Sequence, residues 1–166
     1  MSTPRPQRTG VLFVCLGNIC RSPLAEGVFL ALARERGLED RFDVDSCGIG
    51  AWHVGNPADP RSLAVALRHG IRLDHAARQL EPADFDRFHH LIAMDRSNRR
   101  ALLRTAADHA KEPSRVRLMG AFDPGCTPCA DPGDDVPDPY HGDHDDFERV
   151  YQMLTRTCAG LLDHLA

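Results

Sequence analysis

Lysine is nearly absent from this chain. Lys111 is the only one in 166 residues, so arginine carries almost all the positive charge, and 20 basic residues face 24 acidic ones for a net charge of −4. No Lys/Arg-rich block offsets the acids, which argues against nucleic acid as a bulk partner. Long apolar runs are missing too, so nothing in the sequence reads as a membrane span and no membrane partner is expected. Met1–Thr9 is polar and proline-containing, without the apolar centre that a secretory leader needs. The expected location is therefore cytoplasmic, and the six cysteines are expected as thiols rather than as a disulfide framework. Repeats and low-complexity tracts are absent. The length suits one core, so residues 1–9 are read as a flexible N-terminal segment and 10–166 as a single domain.

What is present is an alternation of short apolar runs with helical patterns. Strands are expected at Gly10–Cys15, Phe42–Cys47, His90–Met94 and Val116–Met119. Helices are expected at Pro23–Arg36, Pro60–His69, Arg96–Ala107 and Phe147–His164, with a short turn near Pro82–Phe85. This order implies an α/β three-layer sandwich: a small parallel sheet of about four strands with helices on both faces. Ligands of such sheets bind at the carboxyl ends of the strands, where Cys15 falls. Asp123–Gly142, rich in Pro, Gly and Asp, reads as a long surface loop.

The chemistry concentrates just after the first strand, in Cys15-Leu16-Gly17-Asn18-Ile19-Cys20-Arg21-Ser22. Gly17 and Asn18 tolerate left-handed backbone angles, so the loop can curl until its N–H groups converge on an anion. A helix opening at Ser22-Pro23 adds partial positive charge at the same point. Arg21 can grip two oxygens of a phosphoryl group through its planar fork. Such a field favours the thiolate of Cys15, the form that attacks. Ser22 is placed to hydrogen-bond the sulfur, both as attacker and as leaving group. A departing oxygen needs a proton from a carboxylic acid, and Asp138, between Pro137 and Pro139, is the best candidate.

The run Val11–Glu26 resembles the phosphate loop of the low-molecular-weight protein tyrosine phosphatases, and Asp138-Pro139-Tyr140 resembles their general-acid motif. Further likenesses are Val44-Asp45-Ser46, Trp52–Pro57, His75–Gln79 and Met94-Asp95, so that the resemblance covers nearly all of the chain after Thr9. It implies a phosphatase I-like fold and hydrolysis of phosphotyrosine in proteins, or of small aryl phosphates, through a cysteinyl-phosphate, with no metal and no cofactor. Cys15 would be the nucleophile, Arg21 the phosphate ligand and Asp138 the acid, then base. Ser46, Ser22 and His75 would hold Asn18, Asp95 would orient Arg21, and Leu16, Ile19, Trp52 and Tyr140 would wall a slot for a phenolic ring. The implied partners are phosphotyrosine-containing proteins, with phosphate and other oxyanions as inhibitors, and the implied state is a monomer.

Other readings stand beside this one. Relatives acting on phosphoarginine carry a small Thr where this chain has Ile19, and a branched apolar side chain there favours an aromatic ester over a protein-arginine phosphatase. An arsenate reductase would need further cysteines between Arg78 and Met94, and none is there. A non-catalytic phosphate-binding or redox-sensing module would not need nucleophile, arginine, serine and acid together. Cys20 is either a redox partner that shields Cys15 in a reversible disulfide or a small residue packing the loop. Cys47 is expected in the core. Arg96, Arg99, Arg100 and Arg104 read as a solvated helix face. Cys126-Thr127-Pro128-Cys129 has the spacing of a metal knuckle or redox pair, yet the gap from His141 to His144 is short for zinc, and plain loop thiols are favoured. The sequence departs from the family pattern at His141, where a tyrosine often stands, and lengthens the loop before Asp138.

Overall fold

The structure is a computed structural model that describes residues 7–125 and 133–166. Residues 1–6 of the expected N-terminal segment and the pair Cys126 and Cys129 lie outside the described residues. Four strands, β1 (Thr9–Cys15), β2 (Phe42–Gly48), β3 (His90–Ala93) and β4 (Val116–Leu118), form one sheet in the order β2-β1-β3-β4. Every strand pair is parallel. The helices are α1 (Arg21–Glu35), α2 (Pro60–Arg68), α3 (Asp84–Arg87), α4 (Arg96–Asp108) and α5 (His144–Leu165).

The central strand β1 is apolar throughout because both of its faces are covered. Val11 and Phe13 enter a core with Leu24, Val28 and Phe29 of α1 and Leu154, Leu161 and Leu162 of α5. Leu12 and Val14 point the other way, against Phe85 of α3 and Leu102 and Ala106 of α4. This is the three-layer arrangement that the alternation implies. The register then positions the site: Phe13 pairs with Ser46 and Val14 with Ala93, which brings Ser46 and Asp95 to the carboxyl end of the sheet, where Cys15 ends β1.

Two helix starts differ from the expectation. Helix α1 begins at Arg21, before Pro23, because the first N–H groups of a helix have no internal partner and a proline costs nothing in the first turn. Helix α5 begins at His144, three residues before Phe147, on a capping box in which Asp143 and Asp146 satisfy each other's backbone N–H.

Candidate active site

Cys15 stands at the carboxyl end of β1, 3 % exposed, and the loop after it folds back over its sulfur. The Asn18 N–H donates to Cys15 Sγ at 3.3 Å, and Ser22 Oγ lies 3.0 Å from the same sulfur. Asn18 takes the left-handed conformation, φ +59°, and it alone in the loop does so. Gly17 was expected to share that role. Its φ is not positive, and the His53 ring lies close against it, 3.0 Å from where a Cβ would stand. Gly48, at the end of β2, serves the same close packing: a Cβ would meet the Leu16 carbonyl oxygen at 2.9 Å.

Asn18 is buried and fully tied. Its Nδ2 donates to Ser22 Oγ at 2.8 Å and to Ser46 Oγ at 3.0 Å, and its Oδ1 accepts from the Arg78 N–H at 2.9 Å. His75 Nε2 lies 2.7 Å from the Asn18 carbonyl, which can only accept, so Nε2 carries the hydrogen. Burial holds His75 below the ordinary imidazole range, with the bond to Asn18 pulling the other way. Two partners of this network, Glu26 and Arg78, were given no role from the sequence. Ser46 Oγ donates to Glu26 Oε2 at 2.8 Å, and burial pushes the Glu26 carboxyl up from 4.5 to about 7. Arg78 is itself anchored by Asp45 and Asp84, each at 3.0 Å.

Arg21, the first residue of α1, is 2 % exposed. Its Nη1 donates to Asp95 Oδ2 at 2.6 Å and to the Val136 carbonyl at 3.0 Å, while Nη2 lies 3.6 Å from Asp138 Oδ2. Asp95 is doubly used, because its other oxygen accepts from Asn98 N at 2.7 Å and caps α4. Asp138 is 45 % exposed at the mouth of the site, within reach of an incoming ester. Its Oδ1 accepts from the Tyr140 N–H at 3.1 Å, which closes a local turn.

These groups share one cavity of about 260 Å³, with Cys15 and Arg21 on its lining and Asp138 at its side. Leu16, Ile19, Trp52 and Tyr140 also line it, and Trp52 is 72 % exposed rather than packed in the core. His53 and His141 line it as well, although neither was singled out for the slot. Cys20 borders the cavity with its thiol pushed up to about 12, first by burial and then by Asp59. Cys47 is wholly buried, as expected of a core thiol. The arrangement can hold a tetrahedral dianion between Arg21 and the N-terminus of α1, offer it a sulfur nucleophile, and present a carboxyl group to the leaving atom.

The comparisons agree on one family. The family model described as low molecular weight phosphotyrosine protein phosphatase matches residues 10–166. A Streptomyces coelicolor protein named low molecular weight protein-tyrosine-phosphatase is 46% identical over 92% of this chain and 90% of its own. A Schizosaccharomyces pombe protein named low molecular weight phosphotyrosine protein phosphatase is 45% identical over 94% of this chain and 96% of its own. Among solved structures, YfkJ from Bacillus subtilis superposes with a TM-score of 0.85 at 39% identity, covering 97% of this chain and 96% of that one.

Proposed function

This chain belongs to the low molecular weight phosphotyrosine protein phosphatase family, whose members are cysteine-dependent hydrolases, and on that premise we propose that it hydrolyses phosphotyrosine in proteins with Cys15 as nucleophile, Arg21 as phosphate ligand and Asp138 as general acid. The observation that carries the reading is the convergence on Arg21: the guanidinium is braced by Asp95 at 2.6 Å and meets Asp138 at 3.6 Å, beside the cavity that contains Cys15.

In the first step Cys15 Sγ attacks phosphorus in line with the ester oxygen. The S–P bond forms as the P–O bond breaks, and the Asp138 proton passes to the departing phenolate. Arg21 takes two equatorial oxygens through its fork, and its buried charge stabilises the transition state. In the second step the Asp138 carboxylate removes a proton from water, the water oxygen bonds to phosphorus, and the S–P bond breaks. The Ser22 hydroxyl supports the returning thiolate. Side chains of this chain fill every role, so the proposed cycle uses no metal and no cofactor.

Ile19, Trp52 and Tyr140 give the cavity an apolar and aromatic face that suits a phenolic ring, and the branched apolar Ile19 supports phosphotyrosine over phosphoarginine. Phosphate and other oxyanions then compete for Arg21. The site is complete within one chain, and we take the enzyme to act as a monomer in the cytoplasm. No described helix is long and apolar enough to cross a membrane.

The test is hydrolysis of p-nitrophenyl phosphate and a phosphotyrosine peptide with chelator present, alongside phosphoarginine and arsenate. Turnover of both aryl esters, lost in Cys15→Ser and slowed in Asp138→Asn, is the expected result. Turnover that survives Cys15→Ser, or a preference for phosphoarginine, contradicts the reading.

A further inference from the structure

Helix α2 touches both halves of the site, and one side chain makes the connection. Its N-terminal turn is fixed to the phosphate loop: the Asp59 N–H donates to the Ile19 carbonyl at 2.8 Å, and Ser62 Oγ donates to the Cys20 carbonyl at 3.2 Å. From that turn Arg61 reaches across to the loop that bears Asp138. Its Nη2 donates to the Tyr140 carbonyl at 2.9 Å and its Nη1 to the Gly142 carbonyl at 2.8 Å. Asp59 holds the guanidinium from behind with both carboxylate oxygens, at 3.0 and 2.9 Å, and the plane lies 4.5 Å from the Phe147 ring centroid at the start of α5.

We infer that Arg61 is a positioning residue that sets Asp138 at its working distance from the leaving oxygen. The inference rests on the assignment of Asp138 as the acid. Asp138 has few anchors of its own: Pro137 and Pro139 beside it bring no backbone N–H, and its carboxyl contacts are the Tyr140 N–H and the 3.6 Å approach of Arg21. The bonds from Arg61 fall on the carbonyls two and four residues further on, so they limit how far the segment can swing from the phosphate loop. A planar fork that bonds two carbonyls, pairs with a carboxylate and stacks on a ring is chemistry that lysine cannot reproduce. Displacement of an acid by about 1 Å is costly to proton transfer while leaving the binding of a phosphoryl group intact.

The experiment compares kcat/KM, which reports the transfer to Cys15, for phenyl phosphate and for p-nitrophenyl phosphate, whose more acidic phenol needs less proton donation. Arg61→Ala is expected to lower the phenyl phosphate value roughly 10–100-fold, within the range of general-acid effects, and the p-nitrophenyl phosphate value much less. Arg61→Lys is expected to fall between Arg61→Ala and the parent, and Arg61→Gln, which keeps one donor, stands in should alanine fail to fold. Inhibition by inorganic phosphate is expected to stay within about twofold, and in an Asp138→Asn background Arg61→Ala is expected to add less than about twofold, since both act through one proton. Equal loss with both esters, weakened phosphate inhibition, or full additivity with Asp138→Asn would overturn the role of Arg61 alone. An Asp138→Asn enzyme without a leaving-group-dependent loss would instead overturn the assignment of the acid.

Discussion

Ser22 Oγ sits 3.0 Å from Cys15 Sγ while it accepts from Asn18 Nδ2 at 2.8 Å. The serine proton is therefore left to point away from Asn18. Its alternatives are the sulfur and the more distant Cys47 carbonyl at 3.5 Å, and the sulfur is the closer. When Cys15 is a thiolate its sulfur can only accept, so the serine then donates to it. Ser22→Ala is expected to lower kcat roughly 10–100-fold, the worth of one hydrogen bond to a charged group, with little change in thermal stability. An unchanged kcat would show that the bond does not assist the sulfur.

Asp95 divides its oxygens between Arg21 and the first turn of α4, and two substitutions separate those duties. Asp95→Asn keeps an oxygen for the cap but removes the charge beside Arg21, so kcat is expected to fall about tenfold with helix stability largely retained. Asp95→Ala loses both, and its unfolding free energy is expected to drop by about 1 kcal/mol more than that of Asp95→Asn. Denaturant midpoints and steady-state rates of the two variants check this, and equal stability would contradict the capping role.

Glu26 makes the fold sensitive to pH. Burial raises its carboxyl from 4.5 to about 7, with the Ser46 hydrogen bond opposing, so the folded state holds a proton that the unfolded state gives up. This group's contribution to stability is therefore greatest below about 4.5 and declines as pH rises to about 7. Glu26→Gln keeps an acceptor for Ser46 and removes the penalty, so it is expected to gain roughly 1–3 kcal/mol at pH 8 relative to pH 5. Urea titrations at both pH values decide it, and parallel behaviour of parent and variant would count against the account.

The cysteines differ sharply in environment. Burial raises the thiols of Cys20, Cys47 and Cys158, the first to about 12 with help from Asp59. Among Cys15, Cys20, Cys47 and Cys158, iodoacetamide at neutral pH is expected to label Cys15 first, and phosphate is expected to protect it. Peptide mapping reads this directly, and faster labelling of Cys20 would reverse the assignment of the reactive thiol.

The catalytic loop was readable because its chemistry is contiguous: cysteine, left-handed asparagine, arginine and serine follow one strand end in eight residues. Asp138 lies far along the chain; its flanking prolines already made it the favoured acid, and the resemblance to known phosphatases added the general-acid motif. Glu26 and Arg78 were not legible as supports of Asn18. Glu26 projects from a helix, while the β1–β2 register brings its partner Ser46 alongside, and no local periodicity encodes that meeting. Gly17 and Asn18 were alike as candidates for left-handed backbone, and only Asn18 adopts it. The start of α5 was placed late because aspartate stands where a capping box usually shows glutamate or glutamine.

The central claim is covalent transfer through Cys15. Rapid acid quenching during turnover of p-nitrophenyl phosphate, followed by peptide mass mapping, tests it most directly. The account predicts one added phosphoryl group on the peptide bearing Cys15, more of it in Ser22→Ala where the thiolate leaves poorly, and none in Cys15→Ala. Steady turnover with no adduct on that peptide, or an adduct on Cys20 in its place, would contradict it.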